Sequence, residues 1–368
     1  MILKRFVAEN FRNIEKCDIE FSRGVNLLIG KNAQGKTNAI EGINIFSRGR
    51  SFRGSDDKEL VRFSTDGFRL KIEYDSGGLS SSLEYAMIGK ERLRKKNSYK
   101  INKVSEMIGS FRSVLFYPDN LRIVKDGPEE RRSFLNIAIS QCYPEYIKYY
   151  SQYKTALENR NCILKFASKG FFIDERELFS WSLSLAEYAS FIFTMRWEYV
   201  ERLKVYAKSI MKDISDEREE LTVNYLSDIK EGIIKRDEVF EEYKRILTED
   251  ISREKAAGVS LFGPHRDNLE LLINGKGARG FASQGQIRSL VLSLKLAEGE
   301  VIREIFGEYP VFLFDDVLSE LDVERRNYLL SGSENKQIII TTCNEETEGI
   351  VADKVIRVDG GDYVSSYR

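Results

Sequence analysis

At 368 residues, with 42% hydrophobic and 31% charged side chains, the sequence has the length for two or three domains and the composition of an ordinary globular protein. Its 57 basic and 58 acidic side chains leave a formal charge of −1, which excludes an overall field attracting nucleic acid or an anionic membrane. Any DNA contact must come from local basic patches. The single histidine, His265, and four scattered cysteines, Cys17, Cys142, Cys162 and Cys343, argue against a His-based catalytic centre, a zinc site and a disulfide framework.

Cysteine usage fits a reducing cytoplasm. No apolar run is long enough to span a bilayer, and Lys4 and Arg5 have no apolar core behind them. No membrane association and no export signal are expected.

The first 29 residues read as β-rich: Ile2 to Ala8, Cys17 to Phe21, then a short buried strand, Val25 to Ile29. Asn10 to Ile14 reads as a turn. Arg12 within it has two readings, a solvated loop charge or a phosphate contact. Gly30-Lys31-Asn32-Ala33-Gln34-Gly35-Lys36-Thr37 then fits G-x-x-x-x-G-K-S/T, the phosphate-binding loop. Ala39, Ile40, Ile43 and Phe46 follow at helical spacing, so strand, Gly-rich loop and helix occur in the order the motif needs. Gly30 and Gly35 let backbone N–H groups close round phosphate oxygens. Lys36 supplies charge to the β- and γ-phosphates, and Thr37 offers a hydroxyl to Mg²⁺. The helix start adds its dipole.

Phe68 to Tyr74 and Ser82 to Ile88 alternate about Ser76-Gly77-Gly78, as a hairpin does. Lys90 to Lys100 is the densest basic cluster, open to two readings: a solvated hairpin tip or a phosphate-backbone contact. Val114 to Tyr117 reads as a strand. From Glu129 to about Lys212 the chain is helical, with amphipathic stretches Tyr146–Phe166 and Glu175–Met211; its aromatics, Phe171 and Phe172 included, read mostly as helical core. Heptads are not sustained, so a packed helical arm is expected, not a long coiled coil. A strand, Leu221 to Tyr225, and one charged helix, Lys235 to Ala257, lead back out.

From Val259 the pattern returns to α/β. Leu269 to Ile273 reaches an Asn274-Gly275 hairpin turn. Ser283-Gln284-Gly285-Gln286 opens a helix with a broad apolar face, stopped by Tyr309-Pro310. Val311 to Phe314 is an apolar strand ending in Asp315-Asp316, the form of a Walker B strand. Asp315 is the candidate Mg²⁺ ligand with Thr37, and Asp316 the residue that polarises the attacking water. Ile338 to Ile340 is another apolar strand, running into Thr341, Thr342 and Cys343; a last hairpin turns at Gly360-Gly361.

Ser283–Gln286 resembles the signature motif of ATP-binding-cassette ATPases, and Ser319-Glu320-Leu321-Asp322 their D-loop. Added to Asn10–Asn13, Gly30–Thr37 with Glu41, Gly127–Leu135, Gly263–Asp267, Ala282–Arg288 and Phe314–Asp322, these segments make the sequence similar to the RecF family, bacterial recombination-mediator ATPases with a head like that of SMC proteins. The resemblance implies an α/β fold: an ABC/SMC-like ATPase head (a P-loop NTPase with a mixed sheet), split by a mainly helical arm. Lobe I is expected at 1–112 plus 255–368 and lobe II at 113–254.

It also implies an ATP-dependent, face-to-face homodimer, with ATP and Mg²⁺ bound at Gly30–Thr37. Arg12 and Asp322 would assist, and Ser283, Gly285 and Gln286 would grip the γ-phosphate held by a second subunit. Asp316 and Lys36 would carry a weak Mg²⁺-dependent hydrolysis that serves as a switch. The implied partners are double-stranded DNA, single/double-strand junctions, RecO and RecR, with RecA loaded on gapped DNA. Two departures from the wider ABC pattern stand out: Asp316 where a glutamate is usual, and Cys343 near the place of a switch histidine. Asp119 or Asn120 would substitute for a Q-loop glutamine. A transporter ATPase subunit and a chromosome-organising SMC-like protein are the alternative functions.

Overall fold

A computed structural model describes residues 1–249, 251–318, 321–330, 335–343 and 351–367. In chain order these form β1 (Ile2–Phe11), β2 (Ile14–Glu20), β3 (Val25–Ile29), α1 (Lys36–Arg48), β4 (Gly67–Ser76), β5 (Leu79–Ile88), β6 (Glu91–Lys96), β7 (Tyr99–Ile101) and β8 (Ser113–Phe116). Helices follow: α2 (Arg122–Lys125), α3 (Pro128–Cys142), α4 (Pro144–Ser168) and α5 (Glu175–Ile214). Then come β9 (Leu221–Leu226), α6 (Arg236–Glu249), α7 (Ile251–Ala257), β10 (Asn268–Ile273), β11 (Lys276–Gly277), α8 (Ala278–Phe281) and α9 (Gln284–Phe306). The last elements are β12 (Val311–Asp315), α10 (Val323–Leu330), β13 (Ile338–Thr342), β14 (Lys354–Asp359) and β15 (Asp362–Tyr367). The segment expected as one charged helix, Lys235 to Ala257, is helical on both sides of residue 250, which lies outside the described residues.

The chain divides into two compact units. One comprises 1–122, 206–220 and 282–368; the other comprises 123–205 and 221–281. These limits differ from the expected lobes for local reasons. β8 pairs with β12, which keeps 113–116 in the first unit. β10 pairs with β9 from Asn268↔Leu226 to Ile273↔Leu221, which keeps 268–273 in the second.

The first unit holds two six-stranded sheets. One is antiparallel, in the order β2-β1-β4-β5-β6-β7; the other is mixed, in the order β15-β14-β3-β13-β12-β8. The central strands β3, β13 and β12 and the edge strand β8 of the mixed sheet are buried at every position, because both faces are covered. α1 touches β1 of one sheet and β8, β12 and β13 of the other. Its Ala39, Ile40, Ile43 and Phe46 are fully buried. Gly42 lets it approach β1, since a Cβ there would lie 2.6 Å from the Phe6 ring. Register places the carboxyl ends of β3, β13 and β12 side by side, with Thr342 opposite Ile29 and Thr341 opposite Asp315. In an open α/β sheet that edge is where ligands bind.

The second unit holds α2–α4, most of α5, α6–α8 and the small sheet β11-β10-β9. Buried arginines tie it together. Arg160 donates to Glu254 at 2.5 Å, Ser260 at 2.8 Å and the Leu247 carbonyl at 3.0 Å. Arg196 donates to the Pro264 carbonyl, Tyr146 and Asn136 and pairs with Asp267 at 3.3 Å. Each charge is buried with its partners, so truncating one partner costs more than the pair itself contributes. Phe171 and Phe172, expected in the core, lie instead in the α4–α5 loop, and Phe172 is 97% exposed.

Candidate functional site

The phosphate loop is held from two sides by the mixed sheet. Gly30 follows β3 directly, beside β14, where a Cβ would come within 2.1 Å of the Val358 carbonyl. Gly35 has φ 119°, open to glycine, and a Cβ there would lie 3.0 Å from the Tyr363 hydroxyl. That hydroxyl donates to the Gly35 carbonyl at 2.9 Å, and the Gly361 N–H donates to the Gln34 carbonyl at 3.0 Å. The Gly360 N–H donates to the Gln34 side chain. Asn13 reaches over the loop to the Ala33 carbonyl at 3.2 Å. The loop is therefore framed by Asn13 from nearby and by Val358, Gly360, Gly361 and Tyr363 from more than 300 positions away.

Lys36 is buried, and its ammonium donates to the carbonyls of Gly30 at 2.5 Å and Lys31 at 2.8 Å. Next to it the Thr37 hydroxyl donates to Asp315 Oδ1 at 2.9 Å, and the Thr341 hydroxyl donates to the same oxygen at 2.8 Å. The start of α1 and the neighbouring strands β12 and β13 thus deliver a hydroxyl, a carboxylate and a second hydroxyl to one point. Burial pushes the Asp315 carboxyl up; the bonds from Thr341 and Thr37 oppose it. Asp316 takes φ 52°, a left-handed conformation unusual outside glycine. Its N–H donates to Thr341 Oγ1 at 2.9 Å. Cys343 completes this edge, with Sγ 2.6 Å from Asn32 Oδ1 and 3.6 Å from Lys36 Nζ.

These groups open on a cleft of about 800 Å³, lined by Arg12, Asn32, Ala33, Gly35, Lys36, Thr37 and Asp316 among others. Arg12 reaches it already engaged: its guanidinium binds the fully buried Glu41 at 2.7 and 3.0 Å and the Glu59 carbonyl at 2.9 Å. Oxygen donors, a hydroxyl beside a buried carboxylate, suit Mg²⁺, which takes one or two carboxylates and completes its shell from phosphates and water. Among the described residues no cluster of three or more His, Cys, Asp or Glu forms an all-protein metal cage.

Ser283 is exposed at the start of α9. Its hydroxyl accepts from the Gln286 N–H at 3.2 Å, and the Gln286 side chain accepts from the Ser283 N–H at 2.8 Å, a reciprocal cap. Gly307, at φ 72°, ends this helix by returning its N–H to the Arg303 carbonyl, so the stop precedes Tyr309-Pro310. Asp322 caps α10, accepting from the Arg325 N–H at 2.9 Å. The Arg325 guanidinium binds Asp322 and reaches Ser289 at 2.7 Å, joining the two helix starts. Sequence reading missed Arg325; its place three residues after Asp322 is the signal that marked it. Ser319 and Glu320 lie outside the described residues. None of Ser283, Gly285, Gln286 and Asp322 lines the cleft.

The other candidates fall elsewhere. In the basic run, Arg92 pairs with Asp57 at 2.6 Å and Lys95 with Glu84 at 3.7 Å, while Arg94 lies over the Tyr85 ring. These contacts neutralise Arg92 and Lys95, two of the run's cations, within and beside the β5–β6 hairpin. Asn120 accepts from the Tyr117 N–H at 3.0 Å and so serves a tight turn after β8. His265 lies in the helical unit, with Nδ1 2.6 Å from the Tyr153 hydroxyl and Nε2 3.1 Å from the Ser260 carbonyl. A carbonyl only accepts, so Nε2 carries the proton and Nδ1 accepts from Tyr153. Burial pushes the ring pKa down to about 4.

Residues 2–363 match the family model described as the RecF/RecN/SMC N terminal domain. A DNA replication and repair protein RecF from Exiguobacterium sp. is 39% identical over 370 residues, covering 98% of each chain. A solved structure of a recombination mediator protein, RecF with ATP in the RecFOR pathway, is 34% identical and superposes with a TM-score of 0.90 over all of this chain and 97% of its own. The Smc head domain of Pyrococcus furiosus shares the fold, at 18% identity and a TM-score of 0.58 over 100% of this chain and 96% of its own. The α/β ATPase-head fold is therefore that of RecF and SMC heads, and no helix among the described residues is long and apolar enough to cross a membrane.

Proposed function

The chain belongs to the RecF family, and from that premise we propose that it is an ATP-binding protein of DNA replication and recombinational repair, acting in the pathway of RecO and RecR. It binds ATP at Gly30–Thr37 and hydrolyses it slowly. The observation that carries this reading is the meeting of Lys36, Thr37, Asp315 and Thr341 at one sheet edge. When bound, Mg²⁺ would be held by Thr37 and Asp315 and would neutralise charge on the β- and γ-phosphates. Lys36 turns from its carbonyl partners to the phosphates. Asp316, fixed by its N–H bond to Thr341, orients the attacking water. With a side chain one methylene shorter than glutamate, it holds that water less closely, which suits a switch.

The Ser283 turn completes a site it does not line. A helix start with an exposed Ser/Gly turn is an anion site, and here it stands apart from its own cleft. We read it as the cap on a second copy's γ-phosphate, so that ATP joins two chains face to face. The pair grips double-stranded DNA and single/double-strand junctions, and with RecO and RecR it places RecA on gapped strands. The transporter reading lacks support, since the relatives are repair proteins along their whole length. The SMC reading rests on a distant fold likeness.

The test is sedimentation and a mobility shift on gapped and blunt duplex with ATP, ADP or no nucleotide. ATP should raise both the mass and the affinity for gapped duplex, and Lys36→Met should abolish both effects. DNA affinity should fall steeply with salt, because phosphate contacts release counterions. Monomers at saturating Mg·ATP, with DNA present, overturn the switch.

A further inference from the structure

We infer that the side chain of Phe63 is the platform on which the purine base of the nucleotide stacks. The inference rests on the ATP-binding reading of the cleft and adds the part of the ligand that the phosphate loop does not touch. Triphosphate is held by backbone N–H groups, a lysine and a hydroxyl, which say nothing about a base. Among the described residues lining the cleft, Val61 and Phe63 are the large apolar ones, and Phe63 is the aromatic one.

Phe63 is 93% exposed. A lone exposed phenylalanine is ordinary, but this one sits on a braced mount. Val61 bridges to Phe11. The Arg12 N–H donates to the Leu60 carbonyl at 2.7 Å, and the Arg62 N–H donates to the Asn10 carbonyl at 2.9 Å. Just beyond, Thr65 returns its N–H and hydroxyl to the Arg62 carbonyl at 3.2 and 2.8 Å. Arg62 is drawn off to Glu15 at 3.0 Å. The backbone under Phe63 is therefore pinned to the turn that carries Arg12 and Asn13, both lining the same cleft, while the ring itself is left to the cleft and solvent. The other aromatics nearby are committed: Phe11 and Phe52 are in the core, and the Tyr363 hydroxyl is bound to Gly35. A cleft of about 800 Å³ is larger than three phosphates need and suits a whole nucleotide.

The experiment measures dissociation constants for ATP, ADP and inorganic tripolyphosphate by calorimetry on the full chain. Phe63→Ala should weaken ATP and ADP alike, by about tenfold or more, the scale of a lost base–aromatic stack. It should leave tripolyphosphate binding unchanged, and Phe63→Trp should restore both nucleotides. ADP separates stacking from any contact made only when the γ-phosphate pairs two chains. Unchanged ATP and ADP affinities, a loss confined to ATP, or an equal loss for tripolyphosphate each overturn the proposal. Lys36→Met should weaken all three ligands; nucleotide binding that survives it overturns the ATP-site reading and this proposal with it.

Discussion

A single carboxylate oxygen, Asp315 Oδ1, takes hydrogen bonds from Thr37 and Thr341, and this fixes how the site titrates. Burial raises the Asp315 pKa and the two hydroxyls hold it back. Thr341→Val keeps the shape and removes one donor, so the carboxyl should rise further. A metal needs the carboxylate, so Mg²⁺-dependent ATP binding should fail at a higher pH in the variant than in the wild type. A pH series of ATP affinity with and without Mg²⁺ reads this directly; coincident curves refute it. His265 gives the opposite sign for a different property. Its folded-state pKa of about 4 lies below the ordinary 6.5, so its share of stability is full above about 6.5 and is lost as pH falls toward 4. Thermal melts of wild type and His265→Gln should converge on acidification, with up to ~3 kcal/mol of pH-dependent difference. Parallel curves would show that the ring does not titrate with unfolding.

At the scale of elements, the start of α9 separates a structural from a functional role. Loss of the Ser283 cap should cost about 1 kcal/mol of stability. If the turn acts on a second copy, Ser283→Arg should abolish ATP-dependent dimers while leaving the monomer's ATP affinity intact, since Ser283 does not line its own cleft. Sedimentation beside calorimetry checks both halves; dimers that persist would return Ser283 to capping alone. Elements like this one were legible because local chemistry announces them. Val25–Ile29 and Val311–Asp315 are apolar runs ending in glycine or aspartate, and Ser283 with Gln286 is a cap written in four letters. What stayed illegible depends on residues far apart in sequence. Nothing near Gly30 tells that Val358 lies against it, and nothing near Arg325 points to Ser289. Phe171 and Phe172 look like core by composition, and only the helix ends beside them decide otherwise.

For the molecule as a whole, the order of strands in the mixed sheet sets when the site exists. β3 is the third element of the chain, yet its two neighbours are β13 and β14. The phosphate loop leans on Gly360, Gly361 and Tyr363. Pairings of such sequence separation are late events in folding. Until β13 is made, β3 has neither partner, and until β14 and β15 are made the phosphate loop lacks its frame. Stalled nascent chains that lack β14 and β15 should therefore fail to retain ATP, whereas released full-length chains should bind it; retention by the stalled form would refute this. On the proposed function, nucleotide capture would then wait on the strands that frame the loop, and a copy lacking β14 and β15 would stay out of an ATP-joined pair.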